Sequence, residues 1–390
     1  MGSRRPLSIM PLASAALEDV VRIAIVPGIG PARLAALIAR FGSAERILSA
    51  PAAAIAAVPG FGPEFARRVA GAGTPEGRAR AREALRVLAE VGATAIISDD
   101  GAYPEAFRAL PDPPFVLYAA GDLGLLRRPG VGVVGTRAPT PYGRASAAGL
   151  THELARAGYV IVSGMAKGID AVAHSAALDA GGATVGVLGH GIDRAYPPEN
   201  RGLFRRVREH GLLISELPPG EQPLAGNFPR RNRLIAALSA GVLVVEMGEK
   251  SGAKHTVDFA LELGREVFAV PGPIASAASA GTNQLLKDGA RLVTSARDIL
   301  EELHGVGLVP QHADERRPAA GLSSSTPTLP PVALAGDELR VFGVLRPDPR
   351  HVDALAAEAG LGVSGTLAAL LGLELHDLAE ALPGKHFKLR

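Results

Sequence analysis

The middle of the chain constrains the fold most. Between residues 99 and 303, short runs rich in Val, Ile and Leu recur at intervals long enough to hold a helix: Val131–Gly135, Tyr159–Ser163, Thr184–Leu188, Leu212–Ser215, Val242–Glu246, Glu266–Val270 and Ala290–Val293. A strand with one wet face alternates polar and apolar residues. These runs are apolar almost throughout, as strands buried on both faces are. Helical stretches between them would supply the cover. The pattern predicts an α/β domain with a Rossmann-like, doubly wound, mainly parallel sheet, whose ligand-binding loops lie at the carboxyl ends of the strands.

Two other regions flank it. Residues 1–98 read as a small all-α domain with an internal repeat: Val26-Pro27-Gly28-Ile29-Gly30-Pro31 returns as Val58-Pro59-Gly60-Phe61-Gly62-Pro63, each copy followed by a helical stretch. Proline presets such a turn, glycine permits a positive φ, and the next helix begins with free N–H groups suited to phosphate. The repeat resembles a tandem helix-hairpin-helix of the SAM-like kind. Weak duplex-DNA contact and a purely structural helix pair are equally open readings. Residues 304–335 are rich in Pro, Ser, Ala and Gly and predict a flexible linker. Residues 336–390 fit three short helices and a terminal hairpin, the order of a winged helix.

Composition removes several chemistries. The chain has no Cys, which excludes disulfides, Cys-ligated zinc, iron–sulfur clusters and thiol catalysis, and fits a reducing cytoplasm. Aromatics make up 4% with no Trp, too few for a broad base-stacking platform. Arg4-Arg5 imitates a twin-arginine start, but the apolar stretch behind it soon meets Glu18-Asp19, and no apolar run is long enough to span a bilayer. A soluble, cytoplasmic protein without membrane contact is expected. Net charge is +5 over residues 1–80, +4 over 121–300 and −2 over 336–390, so anion-binding surface belongs to the first two regions.

The glycine pattern Gly130-Val131-Gly132-Val133-Val134-Gly135 imitates a dinucleotide fingerprint, but it lies inside a strand and no acidic residue ends the next one. No nicotinamide or flavin cofactor is expected, and no metal. The strand-end loops are more telling. Gly135-Thr136-Arg137 combines a tight turn with a guanidinium fork suited to phosphate. Ser163-Gly164-Met165-Ala166-Lys167-Gly168-Ile169-Asp170 brings a hydroxyl, amides and one Lys to a helix start. Phe228-Pro229-Arg230-Arg231-Asn232-Arg233 puts three Arg at another helix start, where the macrodipole disfavours cations. A bound polyanion would relieve that. So would Asp170 or Glu216, and mixed use is the favoured reading.

Together with Tyr196-Pro197, Ser215-Glu216, Ser251-Gly252 and Ala269-Val270-Pro271-Gly272, these segments resemble the signature of the DNA-processing protein A (DprA/Smf) family over roughly residues 103–293. The resemblance implies a non-catalytic protein that binds single-stranded DNA, dimerises through its Rossmann-like domain and loads the RecA recombinase during natural transformation. Its implied DNA contacts are Arg137, Ser163, Gly164, Lys167 and the segment from Phe228 through Arg230, Arg231 and Asn232 to Arg233. Gly135, Thr136 and Gly168 complete the loops. Dimer and recombinase surfaces would lie near Ile274–Leu292.

The chain departs from the family's pattern after Ser251-Gly252, where Ala253-Lys254-His255 precedes Thr256; Lys254 is either an added phosphate contact or a solvated charge. The winged-helix region holds no Lys or Arg between Arg350 and Lys385, which favours protein contact over duplex reading. A second functional class, a nucleotide hydrolase cleaving N-glycosidic bonds, would need a carboxylate beside a phosphate loop, and Glu246 is the candidate.

Overall fold

The computed structural model describes residues 17–305, 307, 336–346, 350–376, 378–382 and 385–389. Arg4-Arg5 and nearly all of the expected 304–335 linker lie outside these residues. The chain divides into two units, Met1–Glu315 and Arg316–Arg390.

The first unit is organised by a nine-stranded sheet: β1 (Thr94–Ile97), β2 (Val116–Gly121), β3 (Gly130–Val134), β4 (Val160–Ser163), β5 (Thr184–Leu188), β6 (Leu212–Ser215), β7 (Ser239–Val244), β8 (Glu266–Ala269) and β9 (Arg291–Leu292). Their spatial order is β1-β2-β6-β5-β4-β3-β7-β8-β9. From β6 to β9 every pairing is parallel. β1 and β2 extend the sheet with antiparallel pairings that the apolar runs did not reveal. The remaining pattern is the doubly wound sheet expected, buried on both faces: Val131, Val133, Ile161, Val187, Val242 and Phe268 are sealed from solvent, each worth about 1.5–3 kcal/mol of burial.

The glycine pattern within β3 has a packing cause. A Cβ on Gly130 would lie 2.7 Å from the Leu238 carbonyl oxygen, and one on Gly132 would lie 2.8 Å from Ser239 Oγ. Those glycines bring β3 close to its neighbours.

The repeated Pro-Gly turns form as read. Gly28 and Gly60 adopt φ of 86° and 85°, and Pro31 and Pro63 open the helices Pro31–Phe41 and Pro63–Ala70. This is a helix-hairpin-helix tandem, but it is not a free-standing globule. Its apolar residues, among them Leu37, Ile47, Ile55 and Val69, share one core with Val116, Tyr118 and Leu213 of the sheet.

The second unit has helices Asp337–Val344, Val352–Ala359 and Val363–Leu375 and a three-stranded antiparallel sheet, β10 (Arg350–His351), β11 (Ala379–Leu382) and β12 (His386–Leu389), in the order β10-β12-β11. Val341, Leu355, Leu370 and Phe387 fill its core. It is a winged helix. Among the described residues no single helix is long and apolar enough to cross a membrane.

Candidate nucleic-acid interface

The loops leaving β3, β4, β5 and β7 meet along one edge of the sheet. Two glycines let the first two loops close on each other. A Cβ on Gly135 would stand 2.7 Å from Ile169 Cγ1. Gly168, at φ 77°, would place one 2.3 Å from the Thr136 carbonyl oxygen. That carbonyl accepts the Ile169 N–H at 3.1 Å, and the Thr136 N–H donates to the Glu246 carbonyl at 2.7 Å. The pair of loops therefore forms one rigid lip carrying Arg137.

Behind the lip lies a buried polar knot. Asp170 accepts the N–H groups of Gly164 and Ala166 at 3.1 and 3.3 Å. Arg231 donates to the Gly164 carbonyl at 2.7 Å and also to the Val187 carbonyl. Burial raises the Asp170 carboxyl above its ordinary range, against the pull of Arg231. The same burial draws Arg231 down to about 10, so it remains a cation at neutral pH. Burial also pushes His174 down to about 3. The Thr184 hydroxyl donates to the Ile161 carbonyl at 2.7 Å and faces His174 Nδ1 at 2.7 Å, so Nδ1 carries the imidazole proton. Nε2 then accepts the Met165 N–H at 3.4 Å. Met165 itself stands at φ 58°. The knot holds the β4 loop in a conformation that its sequence alone disfavours.

This architecture corrects several site assignments. Ser163 is fully buried and its hydroxyl donates to the Val133 carbonyl at 2.7 Å, so it faces no ligand. Gly164 is a packing residue, since a Cβ there would stand 2.5 Å from Arg231 Nη2. Arg231 belongs to the knot. Arg233 is also buried, bonded to Asp112 at 2.9 Å and to Glu216 at 2.8 Å. Two of the three cations at this helix start are thus engaged from within the protein, Arg233 by carboxylates and Arg231 by carbonyls with Asp170 nearby. Arg230 is the exception: its side chain is 39% exposed and reaches Glu216 only at 3.4 Å. Its guanidinium also lies 3.7 Å from where a Cβ would stand on Gly30, which sets the first hairpin turn against this edge.

Outside the knot the groups are different in kind. Arg137 is exposed and makes no ion pair among the described residues; its guanidinium carbon lies 5.7 Å from the Phe228 ring centre. Phe228 stacks on Tyr196 at 5.9 Å with 27° between the rings, and His190 meets Tyr196 edge-on at 6.0 Å. Tyr196 is 40% exposed. It was visible in the sequence as part of Tyr-Pro after a strand end, yet nothing in its type marked it as a site residue. Lys167 reaches out to Glu199, Nζ to Oε1 2.5 Å, with both side chains half exposed. These residues border a small hollow of roughly 70 Å3. It adjoins an open cleft of roughly 750 Å3 that passes Arg137, Phe228 and Asn232 and reaches Lys250, His255 and Thr256. Lys254 is exposed and does not line this cleft; its neighbours Lys250 and His255 do.

Glu246 serves structure. Its carboxylate accepts the Thr140 N–H at 2.8 Å and the Thr140 hydroxyl at 2.7 Å, at the start of helix Pro141–Arg156, and it is 2% exposed. Among the described residues no group of His, Asp or Glu could hold a metal ion.

Residues 94–304 match the family model for DNA recombination-mediator protein A, residues 325–385 that for the DprA winged helix domain, and residues 17–70 that for a SAM-like helix-hairpin-helix tandem. The chain belongs to the DprA family. It is 34% identical to Protein Smf of Synechocystis sp. over 94% of this chain and 96% of that one. The X-ray structure of DNA processing protein A from Streptococcus pneumoniae superposes with a TM-score of 0.65 at 34% identity, covering 74% of this chain and 98% of that one. DNA processing protein A from Helicobacter pylori, solved to show its single-stranded-DNA binding mode, gives a TM-score of 0.51 at 34% identity over 55% of this chain and 96% of that one. The DprA family accounts for all three folded regions in their order along the chain.

Proposed function

We propose that this DprA-family chain binds single-stranded DNA with little sequence preference, without catalysing a reaction on it, and passes the strand to the RecA recombinase in the cytoplasm. One observation carries the binding reading: Arg137 is an exposed, unpaired guanidinium held on a rigid lip beside the Phe228–Tyr196 stack. A cation for the backbone next to π-faces for bases is what sequence-tolerant strand binding needs. Lys167 and Arg230 add charge on either side, and Asn232 adds a polar group in the cleft. The absence of catalysis is supported by Glu246, whose carboxylate oxygens are both engaged by Thr140.

In this proposal the protein acts as a homodimer, joined near the far edge of the sheet. Ile274 is fully exposed there, and Leu292 is 56% exposed on the two-residue edge strand β9. The hairpin turn beside Arg230 adds at most a weak duplex contact. The winged helix, whose third helix exposes Val363 and Leu371 and carries no cation, contacts protein rather than DNA.

The test is competition between oligo(dT) and duplex DNA for wild-type and Arg137→Ala protein across a salt series. The expected result is preference for the single strand, weakened by the substitution, with the salt slope smaller by about 0.7 for one lost phosphate contact. Equal binding by both proteins at every salt concentration would overturn the site.

A further inference from the structure

β3 and β7 are neighbours in the sheet, yet the chain leaves them in opposite directions, toward β4 and toward β8. A crevice opens where two such loops part, and in doubly wound sheets that is where ligands are held. One wall here is Gly135–Arg137, already used for the strand. The other wall, residues 248–256, has no role in that account although it lines the same cleft.

Three observations give this second wall a ligand. Lys250 is exposed, lines the cleft and makes no ion pair among the described residues. The Ser251 hydroxyl accepts the Ala253 N–H at 3.3 Å just ahead of the helix Ala253–Glu262, which begins at the cleft. A helix start alone would say little. Thr256 decides the matter: it lies on the first turns of that helix, lines the cleft and is only 1% exposed. Its hydroxyl meets no hydrogen-bond partner among the described residues, although a helical threonine commonly bonds the carbonyl one turn back. A hydroxyl left unbonded at the wall of a cleft can bond an acceptor that enters the cleft.

We propose that this wall is a second phosphate subsite, with Thr256 Oγ1 and Lys250 Nζ as its contacts and His255 at its rim. The ligand is a phosphodiester of the same strand that Arg137 holds, further along the backbone. The subsite therefore rests on the strand-binding reading. A free nucleotide's phosphate offers the same chemistry, and the experiment separates the two sources.

The full chain is compared with Thr256→Val, Lys250→Gln and Arg137→Ala for binding to unphosphorylated oligo(dT) across a salt series, for binding to dTMP, and for melting temperature. Lys250→Gln should lower the salt slope by about 0.7. Thr256→Val should weaken oligo(dT) binding about tenfold or more, as expected for one lost hydrogen bond to a charged group. Its melting temperature should hold or rise, since the hydroxyl gives up no internal partner. If Arg137→Ala weakens binding and the other two variants match wild type, the subsite is wrong and the strand reading stands. If all three match wild type, both fall. A drop in melting temperature for Thr256→Val would make the hydroxyl structural and overturn its assignment. Loss of dTMP binding in the two variants with oligo(dT) binding intact would transfer the subsite to free nucleotide and overturn the phosphodiester.

Discussion

Arg233→Ala separates scaffold from contact within one six-residue motif. The Arg233 side chain is 4% exposed and that of Glu216 is 5% exposed, with 2.8 Å between them; Asp112, at 2.9 Å, is 38% exposed. Removing the guanidinium leaves the Glu216 carboxylate buried with its main partner gone. Breaking such a pair from one side costs about 3–5 kcal/mol, because the surviving charge keeps its desolvation penalty. Asp112 contributes little to that figure, being open enough to regain water. Arg230 stands 3.4 Å from Glu216 and can swing closer, which favours the lower end. At about 2 °C per kcal/mol for a large unit, the melting temperature should fall by about 6–10 °C. The assay is thermal unfolding followed by circular dichroism, with single-strand binding measured well below the transition. There the surviving folded protein should bind oligo(dT) within about twofold of wild type. A variant that melts within a degree of wild type yet loses DNA binding would refute the argument and return Arg233 to the contact surface.

Arg137→Ala should show the opposite pattern, with weaker strand binding and a melting temperature within about 2 °C of wild type, as expected for an exposed side chain without an ion pair. Glu199→Gln releases Lys167 from its carboxylate and should tighten oligo(dT) binding by about two- to fivefold at low salt, an effect that vanishes at high salt; unchanged affinity would show that the pair does not compete with phosphate. Acid should destabilise the fold through His174, whose folded pKa of about 3 lies below the ordinary 6.5. Between those values the unfolded chain binds a proton that the folded one refuses, so this contribution is fully present above pH 6.5 and declines by at most about 1.4 kcal/mol per pH unit below it. Asp170 works in the opposite sense, because its raised pKa lets the folded state take up a proton first. Chemical denaturation of wild type and His174→Gln from pH 7.5 to 5 checks the sign: the variant should lose less stability on acidification, and parallel curves would disprove the assignment.

Much of the fold was legible because burial on both faces leaves a strong mark. The seven apolar runs became β3 through β9, and the paired Pro-Gly turns became the two hairpins. β1 and β2 were not seen. Val116–Gly121 is one short run, and Thr94–Ile97 follows directly on the helix Pro75–Glu90, without the helix-length spacing that identified the others. The site was legible as loops but not as side-chain roles. Arg137, Arg230, Arg231 and Arg233 are the same residue type, and their roles depend on which carboxylate or carbonyl the fold brings near. Glu216 is seventeen residues from Arg233, and Asp112 is more than a hundred. Tyr196 escaped selection because its importance comes from stacking on Phe228, and Lys250 because it shares a cleft with Arg137, which no local pattern encodes.

The division among these arginines explains how a chain with little excess positive charge can present an anion site. Arg231 and Arg233 are buried, so each must be answered by polar groups at fixed distance or the fold would not tolerate it. Asp170, Glu216 and the carbonyls of Gly164 and Val187 provide that answer, and in doing so they immobilise the β4 and β5 loop ends. The internal carboxylates are thereby consumed. Arg137, carried on the lip those bonds stabilise, makes no ion pair among the described residues and keeps its guanidinium for the cleft. Adding a carboxylate there tests this account: Asn232→Asp lies in the cleft between Arg231 and the Gly252 carbonyl, and should reduce oligo(dT) binding far more than Asn232→Ala at equal folding stability. Equal losses in the two variants would mean that the absence of negative charge in the cleft is incidental to binding.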